Sequence, residues 1–225
     1  MSVIELKLRH PFTCIVAGIT GSGKTCWTRM LLENHQHLIN TNFTQLKVLW
    51  CFGVDQQLYK MPMENINCVY SRGIPSIEII NQTQPHIIII DDLMDELKND
   101  EMIKSLFIKG SHHMNLSVIY ITQNIFAQDK SMRTISLNSQ YIVIMKGIRL
   151  TQQISILGNQ IFPGKMKKFL NIFKDATKKP FSYLLIDLHP ESNDNFRLRN
   201  RIFREELPSD LYEKYYSAPI YYSIE

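Results

Sequence analysis

Short apolar runs alternate along the chain with longer amphipathic stretches, a pattern that predicts an α/β fold built on a mostly parallel sheet. Thr13–Ala17 reads as a strand and Lys24 to about Gln36 as the helix that follows. Leu46–Phe52 is strand-like, and Asn67–Tyr70 is a weaker strand. His86–Asp91 carries four consecutive isoleucines, the density expected of a central strand buried on both faces. Met102–Ile108 reads as helix and Leu116–Thr122 as strand. Two further helices, Thr151–Leu157 and Lys165–Ala176, flank the Pro163-Gly164 breaker. Tyr141–Met145 and Ser182–Asp187 complete the strands. There is no internal repeat, so the expectation is one domain over residues 1–225. Its core would span about 10–190, followed by a basic strand and an acidic, Tyr-rich tail over about 191–225.

Composition narrows the class without naming a function. Of 225 residues, 44% are hydrophobic and 20% charged, which excludes disordered and fibrous architectures. A net charge of +4 is too small to argue for a nucleic-acid partner alone. No apolar run approaches the roughly 18 residues of a membrane span, and the N-terminus shows no secretory signal. The expectation is therefore an intracellular protein with no membrane partner. Cys14, Cys26, Cys51 and Cys68 lack metal-site or disulfide-framework spacing and read as reduced and mostly buried.

Candidate chemistry begins after the first strand. Gly18, Ile19, Thr20, Gly21, Ser22, Gly23, Lys24 and Thr25, followed by Cys26, match the phosphate-loop pattern GxxxxGK[ST] between a strand and a helix. Glycines let successive N–H groups point inward at a phosphate, and the positive end of the helix adds to that anion site. Lys24 would reach the terminal phosphates of a bound nucleotide, and the Thr25 hydroxyl would ligate Mg²⁺.

A second element ends the isoleucine strand. Asp91 would hold Mg²⁺, directly or through water, and Asp92 would activate the attacking water as general base. Asp92 is one methylene shorter than the glutamate usual in this role, so its water would sit slightly displaced. Gln123, at the end of the next strand, could touch both the γ-phosphate and that water. The strand at 46–52 comes between loop and acidic strand in sequence, which bears on topology. Nucleotide kinases usually place strand two directly beside strand one, whereas ring ATPases insert another strand between. The NKxD and DxxG patterns of GTPases are absent.

With these three elements in order, the chain resembles the FtsK–HerA ATPases, specifically the viral genome-packaging enzymes of Maverick/Polinton elements and adintovirus-like DNA viruses. The resemblance runs through Arg9–Thr25, Gly110–His113, Asn115–Asn124, Arg133–Ser139, Tyr183–Pro190 and Arg197–Arg199. It implies a three-layer P-loop NTPase fold of the additional-strand, RecA-like type. It also implies an ATPase with Mg²⁺ that assembles as a homo-oligomeric ring, pentamer or hexamer. Such a motor drives double-stranded DNA into a capsid and meets capsid or portal-vertex proteins at an assembly site inside the host cell. Lys24, Thr25, Asp91, Asp92 and Gln123 fall on the family's nucleotide-contacting positions. Relatives carry Arg near the positions of Lys109 and Met114, so the trans-acting finger stays open among Lys109, Arg133 and Arg149, with Arg133 preferred.

Charge is unevenly spread. Between Lys146 and Lys179 stand eight basic residues and one acid, whereas from Glu205 onward five acids face Lys214 alone. Lys165, Lys167 and Lys168 would contact DNA phosphates. Arg197, Arg199 and Arg201 alternate at period two, which would set three guanidinium groups on one strand face. That strand could equally meet a subunit boundary or pair with the acidic tail. His35-Gln-His37 reads as an exposed helix end, and His112-His113 as structural or phosphate-sensing. Tyr215-Tyr216 and Tyr221-Tyr222 could form an interaction tail. The alternatives to a packaging motor are a nucleoside or nucleotide kinase and a non-hydrolysing, nucleotide-dependent adaptor.

Overall fold

The computed structural model describes residues 7–93, 102, 105–110, 114–125, 130–206 and 219–224. In chain order its elements are β1 (Leu8–Arg9), β2 (Thr13–Ala17), α1 (Lys24–Glu33), α2 (His35–Leu38), β3 (Ile39–Asn40), β4 (Leu46–Phe52), β5 (Ile66–Arg72) and α3 (Ile77–Thr83). They continue with β6 (Ile87–Asp91), a π-helical turn (Leu106–Gly110), β7 (Ser117–Thr122), α4 (Lys130–Leu137), β8 (Tyr141–Met145) and α5 (Thr151–Ile161). The last are α6 (Met166–Ala176), β9 (Tyr183–Asp187), β10 (Leu198–Asn200) and β11 (Ile220–Tyr222).

One nine-stranded sheet has the order β11-β10-β9-β8-β2-β7-β6-β4-β5. Strands β8, β2, β7, β6, β4 and β5 run parallel, while β9, β10 and β11 pair antiparallel beyond them. The isoleucine strand β6 is an interior strand, third from the β5 edge, and Ile87, Ile88, Ile89 and Ile90 are all buried. Each such side chain contributes roughly 2 kcal/mol relative to an exposed one. Alternation deals Ile87 and Ile89 to one face with Trp27, Leu31 and Trp50. Ile88 and Ile90 go to the other face, with Ile135, Leu157 and Phe169. Helix layers cover both faces of the sheet, giving the three-layer α/β arrangement expected. Helix α6 shows the usual logic, burying Phe169, Ile172, Phe173 and Ala176 while exposing Lys167, Lys168 and Lys174.

Several boundaries and placements depart from expectation. Helix α1 ends at Glu33, and the short α2 buries His35, whose Nδ1 lies 2.8 Å from the Leu32 carbonyl. The predicted exposed helix end is thus half wrong, because α2 must turn inward to place Leu38 in the core. Strand β5 is a full seven residues rather than a weak four. Of the predicted helix at 102–108 only residues 102 and 105–108 are described, and the turn Leu106–Gly110 there is π-helical. Tyr221 and Tyr222 belong to β11 rather than to a free tail. Tyr215, Tyr216, His112 and His113 lie outside the described residues. Among the described residues, no helix is long and apolar enough to cross a membrane.

Candidate functional site

Residues 18–23 join β2 to α1 in a tight loop. Gly18 permits the closure, since a Cβ there would fall 2.5 Å from Ser22 Oγ and 2.7 Å from Met145 Cβ. Gly23 opens α1 at φ 98°, a left-handed backbone that a bulky residue resists. No side chain caps α1 and no acid stands in its first turn, so its positive end faces the loop without a competing anion. Lys24 folds back over that loop, its Nζ donating to the carbonyls of Gly18 (2.8 Å) and Ile19 (3.2 Å). Burial lowers the Lys24 pKa, and the nearby Asp91 and Asp92 oppose the shift.

Sheet register then sets the second half. Ala17 pairs with Thr122, and Ile121 with Asp91, so three strands end at nearly the same level. The Gly18 N–H donates to the Thr122 carbonyl at 3.1 Å, and the Asp92 N–H to the Ile121 carbonyl at 3.3 Å. The strand inserted between loop strand and acidic strand is β7, whereas β4, the strand at 46–52, lies beyond β6. Two strand spacings, about 10 Å, therefore separate the loop from the carboxylates. That gap can hold phosphates and a water.

The two aspartates differ sharply. Asp91 is only 2% exposed, and its Oδ2 accepts from the Tyr59 hydroxyl at 2.7 Å and the Trp50 indole N–H at 3.3 Å. Burial raises its pKa, against those two hydrogen bonds, which lower it. Asp92 leaves the strand at φ 54° and is exposed. Its Oδ1 accepts from Gln123 Nε2 at 3.5 Å, linking the ends of β6 and β7.

A cavity of about 620 Å³ brings Lys24, Thr25, Asp91, Asp92 and Gln123 together with Thr20, Gly21, Gly23 and Cys26. Sequence reasoning missed its other wall. Trp27, Met145, Phe181, Tyr183 and Phe203 line the side toward β8 and β9, and Gln56 and Leu58 the side toward β4. Segment 57–62 is pinned by Arg29, which donates to the carbonyls of Leu58 (2.6 Å), Met61 (2.8 Å) and Pro62 (3.0 Å). Tyr59 is thereby held over Asp91. Periodicity puts Trp50 on the Asp91 face, but only the strand order reveals that β4 adjoins β6.

The basic candidates do not form one surface. Arg199 is 1% exposed and pairs with Asp187 at 3.0 Å, because antiparallel pairing sets Arg199 opposite Leu185 of β9 and so puts Asp187, two residues on, on the same face. Arg197 precedes β10, pairing with Asp194 at 2.6 Å and donating to the carbonyls of Asp187 and His189. Arg201 follows β10 in a left-handed conformation. The predicted face of three guanidinium groups is therefore corrected: Arg199 is a core ion pair, and the other two flank opposite ends of the strand.

The basic stretch at 146–179 also divides. Lys165, Lys167 and Lys168 are exposed at the start of α6, while Lys174, Lys178 and Lys179 are exposed at its other end, roughly 16 Å away. That second end is the one beside the loop, since Met145 pairs with Tyr183. Arg133 and Arg149 are exposed and do not line the cavity, and Lys109 falls in the π-helical turn.

The sequence matches no protein-family model and no curated protein. Among solved structures it is similar to the genome packaging NTPase B204 from Sulfolobus turreted icosahedral virus 2 in complex with sulfate. That match has 14% identity and a TM-score of 0.53, and covers 79% of this chain and 91% of that one. It is also similar to B204, the DNA-packaging ATPase from Sulfolobus turreted icosahedral virus, at 13% identity and a TM-score of 0.51, covering 80% and 93%. At such identities the likeness is one of fold, and the fold is that of P-loop NTPases.

Proposed function

We propose that this protein hydrolyses ATP to drive double-stranded DNA into a viral capsid, as a ring-forming packaging motor of the FtsK–HerA type. The observation that carries the reading is the common level of three adjacent strand ends, which joins the phosphate loop to Asp91, Asp92 and Gln123 in one cavity. The inserted β7 supports a ring ATPase over a nucleoside kinase. The fold shared with B204, itself a genome packaging NTPase, supports the packaging role.

In this reading the Lys24 ammonium exchanges its two loop carbonyls for the terminal phosphates, with the α1 amides completing the anion site. The Thr25 hydroxyl and the Asp91 carboxylate are hard oxygen donors on the same cavity and fit Mg²⁺, which takes few protein ligands beside substrate phosphates and water. Bound there, Mg²⁺ would neutralise charge on the phosphate oxygens. Asp92 accepts the proton of the attacking water, and Gln123 orients that water and senses the γ-phosphate. A basic residue of a neighbouring subunit completes the site, with Arg133 the preferred candidate. Lys165, Lys167 and Lys168 track DNA phosphates without reading sequence.

The test is ATP turnover with and without duplex DNA across a salt series. DNA-stimulated hydrolysis that declines steeply with salt is expected. Phosphoryl transfer to a nucleoside, indifferent to DNA, would overturn the motor in favour of a kinase.

A further inference from the structure

The cavity has two chemical halves, and the nucleotide reading accounts for only one. Lys24, Asp91, Asp92 and Gln123 lie on the β7–β6 side of the loop. On the β8–β9 side stands Phe181, 67% exposed, at φ 59°. A left-handed backbone is unfavourable for an aromatic L-residue, and this one gains little burial in return. Its ring nevertheless has a fixed place. A Cβ on Gly23 would lie 3.3 Å from Phe181 Cδ1 and 3.5 Å from Met145 Cε, so the ring stands against the residue that opens α1.

The turn carrying Phe181 is tied at several points. The Lys146 N–H donates to the Ser182 carbonyl at 2.9 Å, Lys146 Nζ donates to the Lys178 carbonyl, and Ser182 Oγ donates to the Lys179 carbonyl. The aromatic face is thus presented on a rigid support beside the phosphate-binding amides. Behind it, Trp27, Tyr183 and Phe203 pack edge to face or tilted, with ring centroids 5.6–6.0 Å apart, and line the same cavity.

We infer that Phe181 is the stacking platform for the base of the nucleotide, and that its ring favours the larger purine over a pyrimidine. The inference rests on the nucleotide-site reading above and assigns the base end of that site. A triphosphate on the loop with its terminal phosphate toward Asp92 must carry its nucleoside toward β8 and β9, where Phe181 and Met145 stand. A flat π-system meets an exposed aromatic ring there, and the larger purine ring gains more from stacking than a pyrimidine. Phe181 acts as a specificity-determining residue and does not touch the reacting atoms.

Equilibrium binding of ATP, CTP and inorganic triphosphate to wild type, Phe181→Ala and Phe181→Trp tests this. Wild type should bind ATP more tightly than CTP. Phe181→Ala should weaken ATP about 10- to 100-fold while leaving inorganic triphosphate unchanged. Phe181→Trp should keep ATP affinity and gain an indole emission that ATP quenches and triphosphate does not. Wild-type ATP affinity in Phe181→Ala, or an equal loss for triphosphate, overturns the platform while leaving the phosphate site standing. Failure of the wild type to bind either ligand overturns the nucleotide reading itself.

Discussion

Tyr59 donates its phenolic hydrogen bond to Asp91 at 2.7 Å, so the carboxylate at the end of β6 is fixed by a residue from a separate, irregular segment. That segment is in turn fastened to α1 through Arg29. The phosphate-loop helix and the acidic strand end are therefore joined by a short mechanical path. Tyr59→Phe removes one of the two donors to a buried carboxylate. The expected cost is about 1.5–3 kcal/mol in urea denaturation, together with a higher Mg²⁺ requirement for ATP binding. Unchanged stability and Mg²⁺ dependence would mean that the bond positions nothing.

The basic residues separate into structural and surface groups, and substitution should tell them apart. Arg199→Ala leaves Asp187 buried without its guanidinium partner and should cost about 3–5 kcal/mol in stability. Changing Lys165, Lys167 and Lys168 to Ala should shift stability by less than about 0.5 kcal/mol each. If they contact DNA, the triple variant should flatten the salt dependence of DNA binding, with a log–log slope smaller by about 0.9 per lost contact. An unaltered slope removes them from the DNA interface.

These contrasts mark where the sequence was legible. Thr13–Ala17, Leu46–Phe52 and Tyr141–Met145 form strands with the expected ends, because buried parallel strands are written as contiguous apolar runs. The loop at 18–25 and the Asp91-Asp92 pair could be singled out because each is contiguous in sequence, and the structure brings residues of both to one cavity. Tyr59, Trp50 and Phe181 were not, since their relation to the site depends on strand order and on turn geometry. Arg197, Arg199 and Arg201 misled for a related reason. Period two describes which way a strand residue points, and says nothing of the buried acid, Asp187, that antiparallel pairing with β9 sets on the same face as Arg199.

Cys26 offers a chemical probe of the loop. It is exposed on the cavity wall, whereas Cys14 and Cys51 are buried, and burial pushes the Cys51 thiol up to about 12. Alkylation of the native protein should modify Cys26 first, and saturating ATP should slow that reaction several-fold. Mass mapping that finds Cys26 equally reactive with and without nucleotide would argue against occupancy of the loop.

Acid should weaken the fold through two histidines at the opposite end of the sheet. His86 stacks on Phe43 with centroids 3.7 Å apart, and its Nδ1 accepts the Lys47 N–H at 3.1 Å, a bond that a protonated Nδ1 cannot make. Burial lowers the pKa of both His86 and His10, with repulsion from Lys47 adding to the first and from His86 to the second. The unfolded chain then binds more protons than the native state below about pH 6.5, so stability present above that pH is lost as it falls. Melting temperature should drop between pH 7.5 and 5.5, and His86→Gln should reduce the drop. A drop of the same size in the variant would place the acid sensitivity elsewhere.

The most direct measurement is single-turnover release of phosphate from ATP by wild type and Asp92→Asn, with nucleotide binding followed in parallel. Wild type should bind Mg·ATP and release phosphate, and Asp92→Asn should bind with similar affinity while losing at least about 100-fold in rate, the usual worth of a general base. Release by Asp92→Asn at the wild-type rate would contradict the assignment of Asp92, and absence of release by wild type would contradict a hydrolytic site.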